Sequence, residues 1–300
     1  MTGYISGIIA VLLQHILVGV LAASLGPLAA FTPRDQGNSE ERSQLTLVRA
    51  YEAFRHHDPQ HLDKTAAALA ESGAVCGATT PLFDLLRLET PRKTALALVS
   101  QLDEARIPEV IGQAFARAAA ALPGTPITVC VYLVELTKGI PYLAGVGGTS
   151  MGAGRIHIYL HPTADRFAKL PYTVTHEYYH EVERIKAPPL TPDDVLVSEG
   201  KADYFATQLY PQVRPPHTVP GTGELRVAWQ AFARYRRMDR AAFRSAFMIA
   251  APPSELPLWA GYKLGFEVAK QYLSAMRGNP ETWATIPSAE MIARFRVPTP

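Results

Sequence analysis

The chain has 300 residues, 48% of them hydrophobic, which is enough to bury a core in one or two domains. Its 29 Lys and Arg against 27 Asp and Glu leave a net charge of +2. The two signs are interspersed, and the lack of a basic stripe or nucleic-acid motif argues against nucleic acid as a partner. Cys76 and Cys130 are the only cysteines. They form one disulfide if the protein is exported, or stay as two buried thiols; they are too few for a zinc site of their own.

No Lys, Arg, Asp or Glu precedes Arg34, and residues 5–25 are almost wholly apolar before Gly26-Pro27 breaks the pattern. Residues 1–33 therefore read as a secretory signal peptide or a single membrane anchor, with a core helix as the competing reading. A basic stretch at the very start, usual in a signal peptide, is missing. The expected location is exported (periplasmic or extracellular) or membrane-anchored, with a possible tether through residues 5–25.

Residues 34–122 read as a helical N-terminal region after a polar linker at 34–40. Leu45, Val48, Tyr51 and Phe54 keep a helical stripe. Asp58-Pro59 signals a helix start and Gly73 a stop; Thr80-Pro81 and Thr90-Pro91 repeat the start signal. Residues 107–122 are Ala-rich and helical. His56, His57 and His61 cluster at the Asp58 junction, where a solvated helix start is the simpler reading than a metal site.

Pro123-Gly124 changes the pattern. Residues 127–136 read as a strand, 138–154 as a glycine-rich connection, and 155–161 as a second strand with Ile156, Ile158 and Leu160 on one face. The connection lacks the Lys-Ser/Thr of a phosphate loop, so nucleotide binding is not expected. Helices follow at 171–186, 196–209, 223–236, 240–249 and 258–276, with a short last one from Ser288.

The run His176-Glu177-Tyr178-Tyr179-His180 lies on the first of these helices. Residues four apart share a helix face, so His176 and His180 can bind one zinc ion, with Glu177 beside them in reach of a metal-bound water. Downstream, Ser198-Glu199-Gly200-Lys201-Ala202-Asp203 offers Glu199 as the third ligand of a His₂Glu site. Asp203, one turn further on the same face, can hold the free ring N–H of a ligand histidine. Zinc would bring a bound water's pKa from 15.7 to about 7, and Glu177 would act as general base. Tyr178 and Tyr179 are expected to pack or to line the cleft.

These segments resemble the gluzincin zinc metallopeptidases, in which a Glu on a second helix completes the site. They are also similar to an uncharacterised family of predicted zinc-dependent proteases. The resemblance covers roughly residues 125–295 and is strongest over the two motif helices. It implies an α+β fold: a mostly helical, zincin-like catalytic domain over residues 123–300, with a small mixed sheet and an active-site helix, preceded by the helical region. It further implies that strand 155–161 sits at the sheet edge beside the cleft, where a peptide could add as a strand; His157 and His161 are then its polar face. Gly261-Tyr262-Lys263-Leu264-Gly265 is similar to a segment of the same predicted proteases. Tyr262 is thus a candidate donor to the oxyanion, or else a core aromatic beside Gly265.

The expected function is peptide-bond hydrolysis by a zinc metallopeptidase acting on a peptide or protein substrate. A non-catalytic, zinc-stabilised peptide-binding module at the cell envelope is the alternative, and a non-peptide amide remains open as substrate.

Overall fold

The computed structural model describes residues 44–297 except 59, 80–83, 136–142, 163–166, 187, 222, 251–253 and 277–278. The apolar segment 5–25, the reading of residues 1–33, the linker at 34–40 and the Thr80-Pro81 start lie outside the described residues. Among the described residues no helix is long and apolar enough to cross a membrane.

The fold is mostly helical α+β, with one four-stranded mixed sheet in the order β1-β2-β4-β3. Its strands are β1 (Leu45–Arg49), β2 (Ile127–Leu133), β3 (Val146–Gly152) and β4 (Arg155–Leu160). β1, β2 and β4 run parallel, and β3 returns antiparallel to β4. β2 is buried at nearly every position, as expected of a continuous apolar run in the middle of a sheet.

Three expectations are corrected here. The stripe from Leu45 to Phe54 is not a helix: it is β1 followed by a 3-10 turn, Ala50–Phe54. Leu-Thr-Leu-Val also satisfies the two-residue period of a strand, and pairing with β2 from Leu45↔Ile127 to Arg49↔Val131 decides between the two periods. The glycine-rich connection contains β3, which turns into β4 through Ala153 and Gly154, both at positive φ. That is the backbone of a two-residue hairpin loop, here without the Asn-Gly or Asp-Gly pair that usually signals one. Consequently β4 is interior and β3 is the edge strand beside the helices. His157 is fully buried, with Nε2 bonded to the Cys76 carbonyl at 2.9 Å.

Helix α1 (Leu62–Cys76) runs past Gly73 and ends at Gly77, whose φ of +74° suits a glycine stop. Cys76 bonds Cys130 of β2, which resolves the cysteine question in favour of the disulfide. Closing that loop is worth up to about 4 kcal/mol in the chain-entropy account. The N-terminal histidines do not form a metal cluster. His57 is buried and bonded to Thr65 Oγ1 and the Thr90 carbonyl, while His61 pairs with Asp58. α2 (Arg92–Glu104) and α3 (Ile107–Ala121) complete this half.

The second half is built on α4 (Leu170–Lys186) and α5 (Pro192–Leu209). α5 begins with a capping box in which Thr191 and Asp194 exchange hydrogen bonds, after Pro188-Pro189 has ended α4. α6 (Glu224–Tyr235), α7 (Arg240–Phe243), a π-helical run Arg244–Ile249, α8 (Ala260–Ala275), α9 (Pro280–Trp283) and α10 (Ser288–Arg294) follow.

α5 and α8 touch backbone to backbone. A Cβ on Gly200 would stand 2.0 Å from the Gly265 carbonyl oxygen, and one on Gly265 would stand 2.3 Å from the Leu196 carbonyl oxygen. Neither glycine can carry a side chain without parting the helices. Gly200→Ala should therefore destabilise the fold by about 1–3 kcal/mol, seen as a lower denaturation midpoint at unchanged m-value. Parental stability in that variant would show that the helices can separate freely.

Candidate metal centre

α4 buries ionisable groups on several faces: His176, Glu177, His180, Glu181 and Glu183 are all less than about a tenth exposed. His176, His180, Glu181 and Glu183 are each bonded to a group on another element, as buried charge requires.

His176 and His180 point to α5. Their Nε2 atoms approach to 3.1 Å, and Glu199 Oε2 lies 3.3 Å from each. The three ligand-type atoms fall within 4.8 Å of one another, and no other such cluster occurs among the described residues. The far side of each ring fixes its tautomer. His176 Nδ1 donates to Asp203 Oδ1 at 2.8 Å. Ser198 Oγ donates to Glu183 Oε2, and so accepts from His180 Nδ1 at 3.2 Å. With both Nδ1 atoms as donors, both Nε2 atoms present lone pairs to each other and to a carboxylate oxygen. A cation at their meeting point turns three repulsions into three bonds, and two imidazoles with one carboxylate are a donor set that suits zinc.

The electrostatics agree. Burial alone would lower the His176 pKa, but Asp203, with Glu199 and Glu177, outweighs it and holds the ring well above the usual histidine value. Burial alone would raise Glu199, but His180 and Arg244 hold it well below the usual carboxylate range. Surroundings that keep a proton on an imidazole also favour a metal cation competing for the same nitrogen.

Glu177 lies against the edge strand, close enough to His176, His180 and Glu199 to feel their charges. A Cβ on Gly148 of β3 would come within 2.6 Å of Glu177 Cγ, so the bare backbone there makes room for the carboxylate. Burial raises the Glu177 carboxyl above its ordinary value, against the pull of His176 and His180. Tyr262 packs its ring on His217 and Trp259, at 5.6 and 5.4 Å between centroids. Burial, then the charges of Glu199, Asp203 and Glu177, push its phenol up, so it stays protonated and able to donate. Tyr178 and Tyr179 are fully buried packing residues; the Tyr178 hydroxyl donates to the Leu122 carbonyl.

Several side chains at the site were not singled out in the sequence. Ser198 and Glu183 hold His180, and Lys201 approaches Glu183 at 3.3 Å. Arg244 Nη2 donates to Glu199 Oε1 at 2.7 Å. His217 Nε2 and the Tyr172 hydroxyl join His176 on Asp203 Oδ1, at 3.3 and 2.9 Å. Burial pushes the Lys169 ammonium down to about 8, against the charges of Asp203 and Glu177. Glu181 accepts from Ser150 Oγ and from the Gly152 and Gly154 amides, tying the β3–β4 hairpin to α4. Ser198 and Lys201 stood in the Glu199 motif; the other contacts come from outside it.

The family model described as Predicted Zn-dependent protease (DUF2268) matches residues 107–293, from the first residue of α3 into the last helix. It covers both motif helices and Tyr262. No curated protein and no solved structure matches the chain. The chain therefore belongs to the family of predicted Zn-dependent proteases.

Proposed function

We propose that this protein is a gluzincin-type zinc metallopeptidase with His176, His180 and Glu199 as metal ligands and Glu177 as general base. The observation that carries the reading is the convergence of two imidazole lone pairs and one carboxylate oxygen beside a buried second carboxylate. Zinc held there supplies Lewis acidity, polarising a carbonyl and making water acidic near neutral pH. Glu177, raised by burial, is suited to take the water's proton and hand it to the departing amine. Tyr262, held protonated beside the site, is suited to donate to the oxygen on which charge develops. Asp203 orients His176, and Ser198 with Glu183 orients His180.

The substrate reading rests on β3. It is the sheet edge on the side of Glu177, and Gly148 and Thr149 in its middle are only partly buried. An extended peptide added there would run past Glu177. The disulfide favours an oxidising compartment and so an exported protein, with residues 5–25 as signal or tether.

Three outcomes test this reading. Glu177→Gln should retain the parental zinc content and lose about 10²–10⁴-fold in peptide hydrolysis; full activity in that variant would refute the base assignment. Tyr262→Phe should lose about 10²-fold in kcat with little change in KM. An equal loss in thermal stability and none in kcat would make Tyr262 a packing residue. Chelation by o-phenanthroline should abolish hydrolysis while far-UV circular dichroism keeps its folded signature, and added zinc should restore turnover.

The second reading, a zinc-stabilised peptide-binding module without hydrolysis, is favoured by one observation: the ligand cluster is buried between two core helices. In that case chelation would melt the protein, and no peptide would be cut with or without metal.

A further inference from the structure

We propose that Arg244 is a positioning residue that makes Glu199 a one-oxygen donor, holding Oε1 away from the point where the two imidazoles meet. The inference rests on the proposed His176–His180–Glu199 centre. A carboxylate can offer a metal one oxygen or both. Here the two oxygens are divided: Oε2 lies 3.3 Å from both Nε2 atoms, while Oε1 accepts from Arg244 Nη2 at 2.7 Å. A charge-assisted bond of that length competes directly with a second metal–oxygen bond.

The arginine is held by structure on both sides. It opens the π-helical run Arg244–Ile249, directly after α7, whose first amides are capped by Asp239. π turns are rare and are frequent at functional sites. Phe243 and Phe247 flank Arg244 in sequence and are fully buried, their rings stacked at 5.2 Å; both pack on Phe232. On the far side Met248 fills the space over Gly261, where a Cβ would come within 2.4 Å of its Sδ. The backbone under Arg244 is thus locked into the core, while its side chain is 47% exposed. The carboxylate it holds is 6% exposed. A half-exposed side chain therefore carries its guanidinium inward to a buried carboxylate from a fixed base. Losing it should change the metal's surroundings more than the fold.

The test uses the full-length protein with Arg244→Met and Arg244→Lys, each loaded with zinc and, separately, with cobalt(II). In Arg244→Met zinc affinity should fall about 10-fold, the low end for an outer contact to a metal ligand. Its cobalt visible bands should weaken and shift as the second oxygen joins the ion. At saturating zinc kcat should fall while KM holds, and Arg244→Lys should recover part of each effect. Thermal midpoints should stay near the parental value. Parental zinc affinity and cobalt spectrum in Arg244→Met would overturn the proposal. A raised KM with an unchanged spectrum would overturn it too, making Arg244 a substrate-binding residue. If the parental protein binds zinc and cleaves peptide while Arg244→Met shows either pattern, only the Arg244 role fails. A parental protein that binds no zinc overturns both readings.

Discussion

Three lone-pair donors aimed at one point are the constraint around which the rest of the site is arranged. Two imidazole nitrogens 3.1 Å apart, each 3.3 Å from the same carboxylate oxygen, repel one another unless a cation or a proton lies among them. What keeps them there is the engagement of every outer atom: Asp203 on His176, Ser198 and Glu183 on His180, Arg244 on Glu199. Asp203 is completely buried, and Tyr172, His176 and His217 all converge on its Oδ1. Burial alone would neutralise that carboxylate, but His217 and His176 hold it ionised. The cluster is thus a set of opposing charges that balance only when positive charge occupies its middle.

How much of this was legible follows the distance over which each interaction acts. The pairs His176–His180 and Glu199–Asp203 are each four apart, so the helix repeat alone fixes them on shared faces. Joining the two pairs needed the further idea of a second helix completing a three-ligand zinc site. Arg244 lies 45 residues from Glu199, and Glu183 lies 15 from Ser198; no local period encodes either contact. The sheet was harder still. β1 satisfies two periods at once, and only its partner strand decides between them. β3 is largely glycine and small polar residues, a poor strand by composition, formed because the hairpin turn and Glu181 hold it in place. With β3 read as a connection, nothing contradicted the resemblance that put strand 155–161 at the edge with His157 on its polar face, whereas His157 is buried against the Cys76 carbonyl.

The glycines carry a different kind of information. Gly148, Gly200, Gly261 and Gly265 are conspicuous in sequence, but what each accommodates is visible only in three dimensions. Gly148 admits a catalytic candidate, Glu177, against the strand. Gly200 and Gly265 set the spacing of α5 and α8, and Gly200 adjoins Glu199 in sequence. The helix contact and the placement of the carboxylate are therefore one feature: a displacement of α5 away from α8 would carry Oε2 with it.

The same logic joins α4 to the edge strand. Glu181 follows His180 directly, and its two carboxylate oxygens take the Ser150 hydroxyl and two amides of the hairpin. One turn earlier, Glu177 lies against Gly148 of the same strand. α4 thus grips β3 at two successive turns of one face, while its histidines face α5. A backbone aligned along β3 would have its register set by Gly148 and the hairpin, which are fixed to the helix that carries Glu177. In the proposed reaction the distance between a peptide on the strand and the base on the helix is then set by Glu181, a residue that takes no part in the chemistry. In that reaction substrate position and proton transfer would be coupled through that buried carboxylate, because it ties the hairpin to the helix that carries both imidazoles.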